Sequence, residues 1–132
     1  MQLTRQGDYA IRTVLELAAR PQDELVPVKE IASSQDVPLQ FLNKIVQSLA
    51  KSGIVITARG SNGGVKLGRA ADQITLRDVV EAIEGPIALN RCVIREGACG
   101  REGFCRVHHV WRRAQAALLE HLEGVTFADL VR

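Results

Sequence analysis

Between Val37 and Ala71 the chain has no aspartate and no glutamate. Lys44, Lys51, Arg59, Lys66 and Arg69 lie in that same stretch, although the formal net charge of the whole chain is only +2. A solvated face usually carries carboxylates among its cations. A long acid-free segment with five cations suits a polyanion such as DNA or RNA. Other absences narrow the field further. No apolar run approaches the length that spans a bilayer, so no membrane partner is expected. Met1 to Ala19 has no signal-peptide core, which leads to the expectation of a cytoplasmic protein without lasting disulfides. Cysteine is scarce: there are three, an odd number, and a disulfide framework needs pairs. There are no internal repeats and no low-complexity segments. What remains is ordinary for a soluble globular domain, with 46% apolar and 24% charged residues over 132 positions.

Hydrophobic periodicity places the elements. Tyr9 to Ala19 reads as a helix with Ala10, Val14, Leu17 and Ala18 on one face, ended by Pro21. A short helix fits Val28 to Ser34. "SQDVP" is a turn, and Pro38 suits the first position of a third helix. There Phe41, Leu42, Ile45, Val46 and Leu49 recur at helical spacing and should face a core, with Gly53 stopping the helix. The opposite face carries Gln40, Asn43, Lys44, Gln47, Ser48 and Lys51, with no carboxylate. Amides can pair bidentately with adenine edges, and lysines can meet phosphate or guanine. In "IVITARGSNGGVKL", Ile54 and Ile56 alternate with polar residues, as Val65 and Leu67 do on the return. "RGSNGG" is the glycine-rich turn between them, with Arg59, Ser61 and Asn62 at the tip.

The expected fold is therefore mostly α with a small β-hairpin wing, a winged helix-turn-helix. In it the third helix enters the major groove and the wing reaches a neighbouring strand of duplex DNA. Gln40, Asn43, Lys44 and Gln47 are the candidate base readers. Lys51, Arg59, Ser61, Asn62 and Lys66 complete the candidate DNA-binding set, mainly as phosphate contacts.

A second unit follows. Thr75 and Asp78 stand in capping-box register at the head of a helix through Ile83, with Leu76, Val79, Val80 and Ile83 apolar. "EGP" ends it. A loop comes next, then a long helix from about Cys105 to Leu122. Val107, Val110, Trp111, Ala114, Ala117, Leu118 and Leu122 line one side of that helix. So large a stripe outside the winged core suggests pairing of two copies, since a DNA reader of this size usually binds two half-sites roughly 34–36 Å apart or a multiple of that. Thr126 to Val131 reads as a short final helix, with Thr126 and Asp129 in capping-box spacing. The expected division is 1–85 for the winged helix-turn-helix, 86–104 for the loop, and 105–132 for the dimerisation and C-terminal helices.

All three cysteines lie in "RCVIREGACGREGFCRVHHVW", spaced Cys92-x6-Cys99-x5-Cys105, with His108 three residues on. The close C-x2-C knuckle of most structural zinc sites is missing. Wider spacing with Gly97, Gly100 and Gly103 lets a loop wrap something larger than one ion, and thiolates are the preferred ligands of iron–sulfur clusters. Arg91, Arg95, Arg101 and Arg106 flank the thiols and offset the charge of a thiolate-bound group. His108 would share a face with Cys105 if the helix has begun there, which makes it the candidate fourth ligand. His109 is a weaker candidate. Zinc, or free thiols that sense oxidants directly, remain alternatives on spacing alone. A thiol enzyme with Cys105 as nucleophile and His108 as base lacks an acid to orient the histidine and an oxyanion motif, so no catalytic residues are assigned.

With these features in place, the chain resembles the IscR and NsrR family of winged-helix iron–sulfur regulators. "MQLTRQGDYAIR", "ARGSNGGVKLG", "LRDVVEAIEG", the three spaced cysteines and "HHVW" carry the resemblance, in order and over nearly the whole length. It implies a homodimeric transcription regulator whose operator binding depends on a cluster held by Cys92, Cys99 and Cys105. The signal would be redox state, iron–sulfur status or nitric oxide. IscR-like members place a histidine where His108 stands and carry 2Fe–2S, which is the reading adopted. Some NsrR-like members carry 4Fe–4S and use an aspartate from the partner subunit, here Asp8. Asn43 lies where IscR-like members can carry a glutamate. The alternatives are a metal-free or zinc-binding regulator of the same fold and, more remotely, an iron–sulfur electron carrier.

Overall fold

A computed structural model describes every residue except Met1, Glu96, Cys99 and Glu102. Helix α1 spans Arg5–Ala18, and begins four residues before the periodic pattern does. Its start is set by Thr4, whose side-chain oxygen accepts the Gly7 N–H at 3.2 Å. That cap supplies one of the donors a helix N-terminus leaves unpaired. Helix α2 is Val28–Gln35 and helix α3 is Leu39–Lys51. Asp36, left-handed at φ 53°, turns the chain between them. Pro38 is the residue before α3 rather than its first residue. Gly53, at φ 75°, ends the helix as its position suggests.

Leu42, Ile45, Val46 and Leu49 of α3 are buried. Phe41 is not: it is 45% exposed, against the expectation that it faces the core. One residue is 100° of helix, and the core already occupies the arc through positions 42, 45, 46 and 49.

The wing consists of β1 (Val55–Ala58) and antiparallel β2 (Gly64–Leu67), with Val55 opposite Leu67 and Thr57 opposite Val65. This register buries Val55, Val65 and Leu67 and turns Ile56 outward with Lys66, so Ile56 does not share the inner face as expected. Ile54 is buried just ahead of the strand. A third backbone segment joins the hairpin. Val26 and Val65 exchange two hydrogen bonds of 2.9 Å, and a Cβ on Gly64 would stand 2.5 Å from the Val26 carbonyl oxygen. Only glycine permits so close an approach.

Helix α4 (Leu76–Glu84) opens with the expected capping box. Thr75 Oγ1 accepts the Asp78 N–H at 3.1 Å, and Asp78 Oδ2 accepts the Thr75 N–H at 3.0 Å. It packs on α1, and Glu84 accepts the Thr4 N–H at 2.9 Å. After the loop, α5 runs His108–Glu123, three residues shorter at its start than expected, and α6 runs Phe127–Leu130 behind a second capping box of Thr126 and Asp129. The chain end returns to the winged core. Leu76 N–H donates to Val125 C=O, Phe127 N–H donates to Ile74 C=O, and the Phe127 side chain is fully buried. It shares one core with Val14, Ile31, Leu42, Leu49, Val65 and Val79.

Candidate nucleic-acid interface and metal site

The outer face of α3 carries Gln40, Asn43, Lys44, Gln47 and Lys51, all exposed, with Ser48 half-buried. Arg59, Ser61 and Asn62 are exposed at the wing tip, and Lys66 is half-buried on β2. Among the described residues, Lys44, Lys51, Arg59 and Lys66 make no ion pair. The fifth cation of the acid-free stretch is different. Arg69 lies 3.2 Å from Asp78 and donates to the Gln73 carbonyl, so it braces the head of α4. A helix face with unpaired cations and amides, beside a cationic wing tip, presents the donors that phosphates and base edges accept.

The loop and α5 form the second candidate site. Cys92 sits half-buried in a 3-10 turn, Arg91–Val93. Cys105 is half-buried in a turn whose N–H donates to Arg101 C=O at 2.8 Å. Cys99 lies outside the described residues. Helix α5 starts at His108 rather than Cys105, and the two are joined by a long 3.4 Å bond from His108 N–H to Cys105 C=O. His108 is only 7% exposed, and among the described residues its buried Nδ1 has no hydrogen-bond partner. It lines a cleft of about 310 Å³ together with Cys92, Arg95, Arg112, Gln115 and Leu119. The α5 members, at 108, 112, 115, 116 and 119, lie along one side of the helix. Cys105 is not in that lining, and among the described residues no three His, Cys, Asp or Glu side chains gather closely enough to hold a metal ion. Asp8 stands in the first turn of α1 and pairs with Arg12 at 2.9 Å.

Gln115 carries no signal in the periodicity, yet it is buried and ties the loop to α5. Its Oε1 accepts the Leu89 N–H at 2.8 Å, and its Nε2 donates to the Ile87 carbonyl. Only its place seven residues after His108 hints at a shared face. The stripe expected to pair subunits splits. Val107, Val110, Trp111 and Ala117 are exposed, whereas Ala114, Leu118 and Leu122 are half-buried. Arg77 on α4 holds α5 through Glu123 at 2.6 Å as well as its own neighbour Glu81 at 3.0 Å. These two carboxylates, Glu81 first, raise the Arg77 pKa above its ordinary value.

Comparison with known proteins agrees with this architecture. Residues 3–132 match the Rrf2 family, described as an iron-dependent transcriptional regulator. The regulator IscR of Erwinia tasmaniensis is 34% identical over 131 residues, covering 99% of this chain and 79% of the relative. The structure of CymR, the global cysteine regulator of B. subtilis, superimposes with a TM-score of 0.80 at 29% identity, covering 99% of this chain and 96% of that one. T. potens IscR has the same fold, with a TM-score of 0.78 at 24% identity over 99% of this chain and 86% of that one. No helix among the described residues is long and apolar enough to cross a membrane. The chain belongs to the Rrf2 family of iron-dependent transcriptional regulators, and is a DNA-binding winged-helix regulator rather than an enzyme.

Proposed function

We propose that this chain is a cytoplasmic, homodimeric regulator whose binding to a duplex operator is governed by an iron–sulfur cluster held by Cys92, Cys99, Cys105 and His108. The observation that carries the reading is the His108 side chain. A buried imidazole nitrogen with no partner is costly in an ordinary core. Here it stands in a cleft with a thiol and two arginines. By residue type the donor set suits a 2Fe–2S centre, with thiolates and one imidazole; of these, Cys92 and His108 share the cleft and Cys105 lies outside its lining, and Arg95 and Arg112 offset the negative charge. Bound there, such a centre would supply a redox- and nitric-oxide-responsive group. Asp8 is the second choice for the fourth ligand, because it would have to come from the partner subunit and give up Arg12.

The protein's own residues supply the link to DNA. Gln115 fixes the loop to α5, and Arg77 fixes α5 to α4. The exposed Val107, Val110 and Trp111 offer α5 to a second copy. In the pair, Gln40, Asn43, Lys44 and Gln47 read bases, while Lys51, Arg59, Ser61, Asn62 and Lys66 hold the backbone or the minor groove.

The test is anaerobic purification with absorbance, iron and sulfide analysis, and gel-shift titration of holo and apo protein on a selected operator. The wild type should be coloured and contain iron and sulfide. His108→Ala should lose or destabilise the chromophore more than Asp8→Ala does. A colourless protein with zinc, or with no metal, removes the cluster and favours the zinc or thiol reading. Equal holo and apo affinities and footprints remove the regulation.

A further inference from the structure

The exposure of Phe41 needs a reason beyond the exclusion of this ring from the core. It is the third residue of α3 and stands between exposed Gln40 and, one turn on, exposed Lys44. Leu39 is also exposed, but is in line with buried Leu42 and Val46 and so extends the core face. Phe41 stands at the opposite edge of that face, one turn before buried Ile45 and beside exposed Lys44 and half-buried Ser48, so it is the large apolar group that borders the polar, acid-free side of the helix. Among the described residues no cation stacks on its ring; the two such contacts are Arg12 over Tyr9 and Arg101 over Phe104. In a helix-turn-helix the N-terminal residues of the third helix are those that meet base edges. A phenyl ring has no donor or acceptor, so it cannot read the nitrogen and oxygen pattern of the groove. The one apolar group that a base pair presents there is the C5-methyl of thymine.

We infer that Phe41 is a specificity-determining residue that packs on a thymine methyl in each operator half-site. The inference rests on α3 being the helix that enters the major groove, and the experiment separates the two. The probe is the tightest duplex that the wild-type holoprotein selects from a random-sequence pool. Each thymine is replaced in turn by deoxyuridine, which removes the methyl and leaves the hydrogen-bonding edge intact. At one thymine per half-site the wild type should lose about four-fold in affinity, the factor expected for uncovering one methyl-sized apolar group. Phe41→Ala should bind the thymine and uridine duplexes alike, and Phe41→Leu should keep part of the difference. Because Phe41 is about half buried, Phe41→Ala should lower the thermal midpoint by a few degrees and Phe41→Leu by less, and binding is titrated well below both midpoints.

If no uridine position weakens the wild type, or if the same penalty persists in Phe41→Ala, the assignment is overturned. If Phe41→Ala weakens every duplex uniformly, the ring touches sugar and phosphate and the assignment is also overturned. Lys44→Ala and Gln47→Ala are titrated on the same duplex. Should these also leave affinity unchanged, it is the docking of α3 that fails, and not merely the role of Phe41.

Discussion

Replacing Gln115 by Ala should release the loop before it releases the fold. The side chain is 8% exposed and bridges two backbone groups of the loop, accepting from Leu89 N–H and donating to Ile87 C=O. Ile87 is itself buried, so losing the amide strips its carbonyl of the donor that satisfies it. A buried polar group left in that state costs about 1–3 kcal/mol. The cost falls on the closed loop, whose Leu89 N–H and Ile87 C=O are the groups that Gln115 bonds, and not on the hydrophobic core around Phe127, Ile31 and Leu42. At about 1.4 kcal/mol per factor of ten, the open-loop population rises about 5- to 150-fold. The assay is limited trypsin cleavage of the apo protein after Arg91 and Arg95, both exposed in the loop. Where opening and closing outpace cleavage, the cutting rate follows the open population and should rise by the same factor. Gln115→Glu keeps the acceptor for Leu89 but loses the donor for Ile87, and should also speed cleavage. Unchanged cutting in Gln115→Ala, with an unchanged urea midpoint, would refute the clamp. A large drop in the urea midpoint with no selective cutting would show that Gln115 supports the whole fold instead.

Arg59→Ala should weaken operator binding and lower the salt slope of log K by about 1, as loss of one phosphate contact requires; an unchanged slope removes the wing from the interface. Phe127→Ala should cost about 3–5 kcal/mol in urea denaturation, because the ring is fully buried among residues of the winged core. Glu16 accepts hydrogen bonds from Ser34 and Gln35 and pairs with Arg20 at 3.1 Å, which together hold its pKa below the ordinary 4.5 despite an opposing effect of burial. A depressed carboxylate stabilises the fold above its unfolded value and loses that contribution as pH falls through the folded one. Wild type should thus be more stable than Glu16→Gln at neutral pH, with the gap closing below about pH 4 in urea melts at stepped pH. A pH-independent gap would mean that the glutamine disturbs packing rather than charge.

The winged helix-turn-helix was legible because α1, α3 and the capping boxes obey local rules. Positions 42, 45, 46 and 49 fall on one arc, and Thr75–Asp78 and Thr126–Asp129 form the boxes that their spacing announces. Failures arose where a tertiary neighbour decides. Phe41 follows the same apolar pattern as Leu42, and only the width of the core arc sends it out. The run Ile54–Val55–Ile56 fits either phase of a strand. Pairing of Val55 with Leu67 chooses the inside residue, and that register is set across the hairpin. Arg69 counts as a cation of the acid-free stretch until Asp78, from the next helix, claims it. The segment at Val26 that joins the wing follows no strand-like alternation and shows itself only by its two bonds to Val65. Of the candidate site, residue type and spacing single out the cysteine loop and His108, and the fold brings Cys92 and His108 into one cleft while Cys105 stays outside its lining. Gln115 could not be singled out in this way, because a lone glutamine in a helix is ordinarily solvated and its role depends on the loop folding back over it.

The two ends of α5 are held differently, and this gives the proposed regulator its mechanical logic. The C-terminal end is anchored by Arg77 to Glu123 and by the return of Phe127 into the core. The N-terminal half, from His108 to Gln115, is held to the loop by the Gln115 amide. That half also carries exposed Val110 and Trp111, part of the surface proposed to meet a second copy. Disorder in the loop would therefore free one end of a lever whose other end stays fixed to the DNA-reading domain. The subunits would pivot where they meet, and the distance between the two α3 helices would change without any rearrangement inside the winged core. An allosteric factor of 5 to 150 in operator affinity needs only about 1–3 kcal/mol of coupling, the same size as the Gln115 clamp. If the clamp is the coupling element, Gln115→Ala should move holo affinity toward the apo value while leaving iron content near wild type. Full loss of iron together with the affinity change would place Gln115 in retention of the metal rather than in transmission.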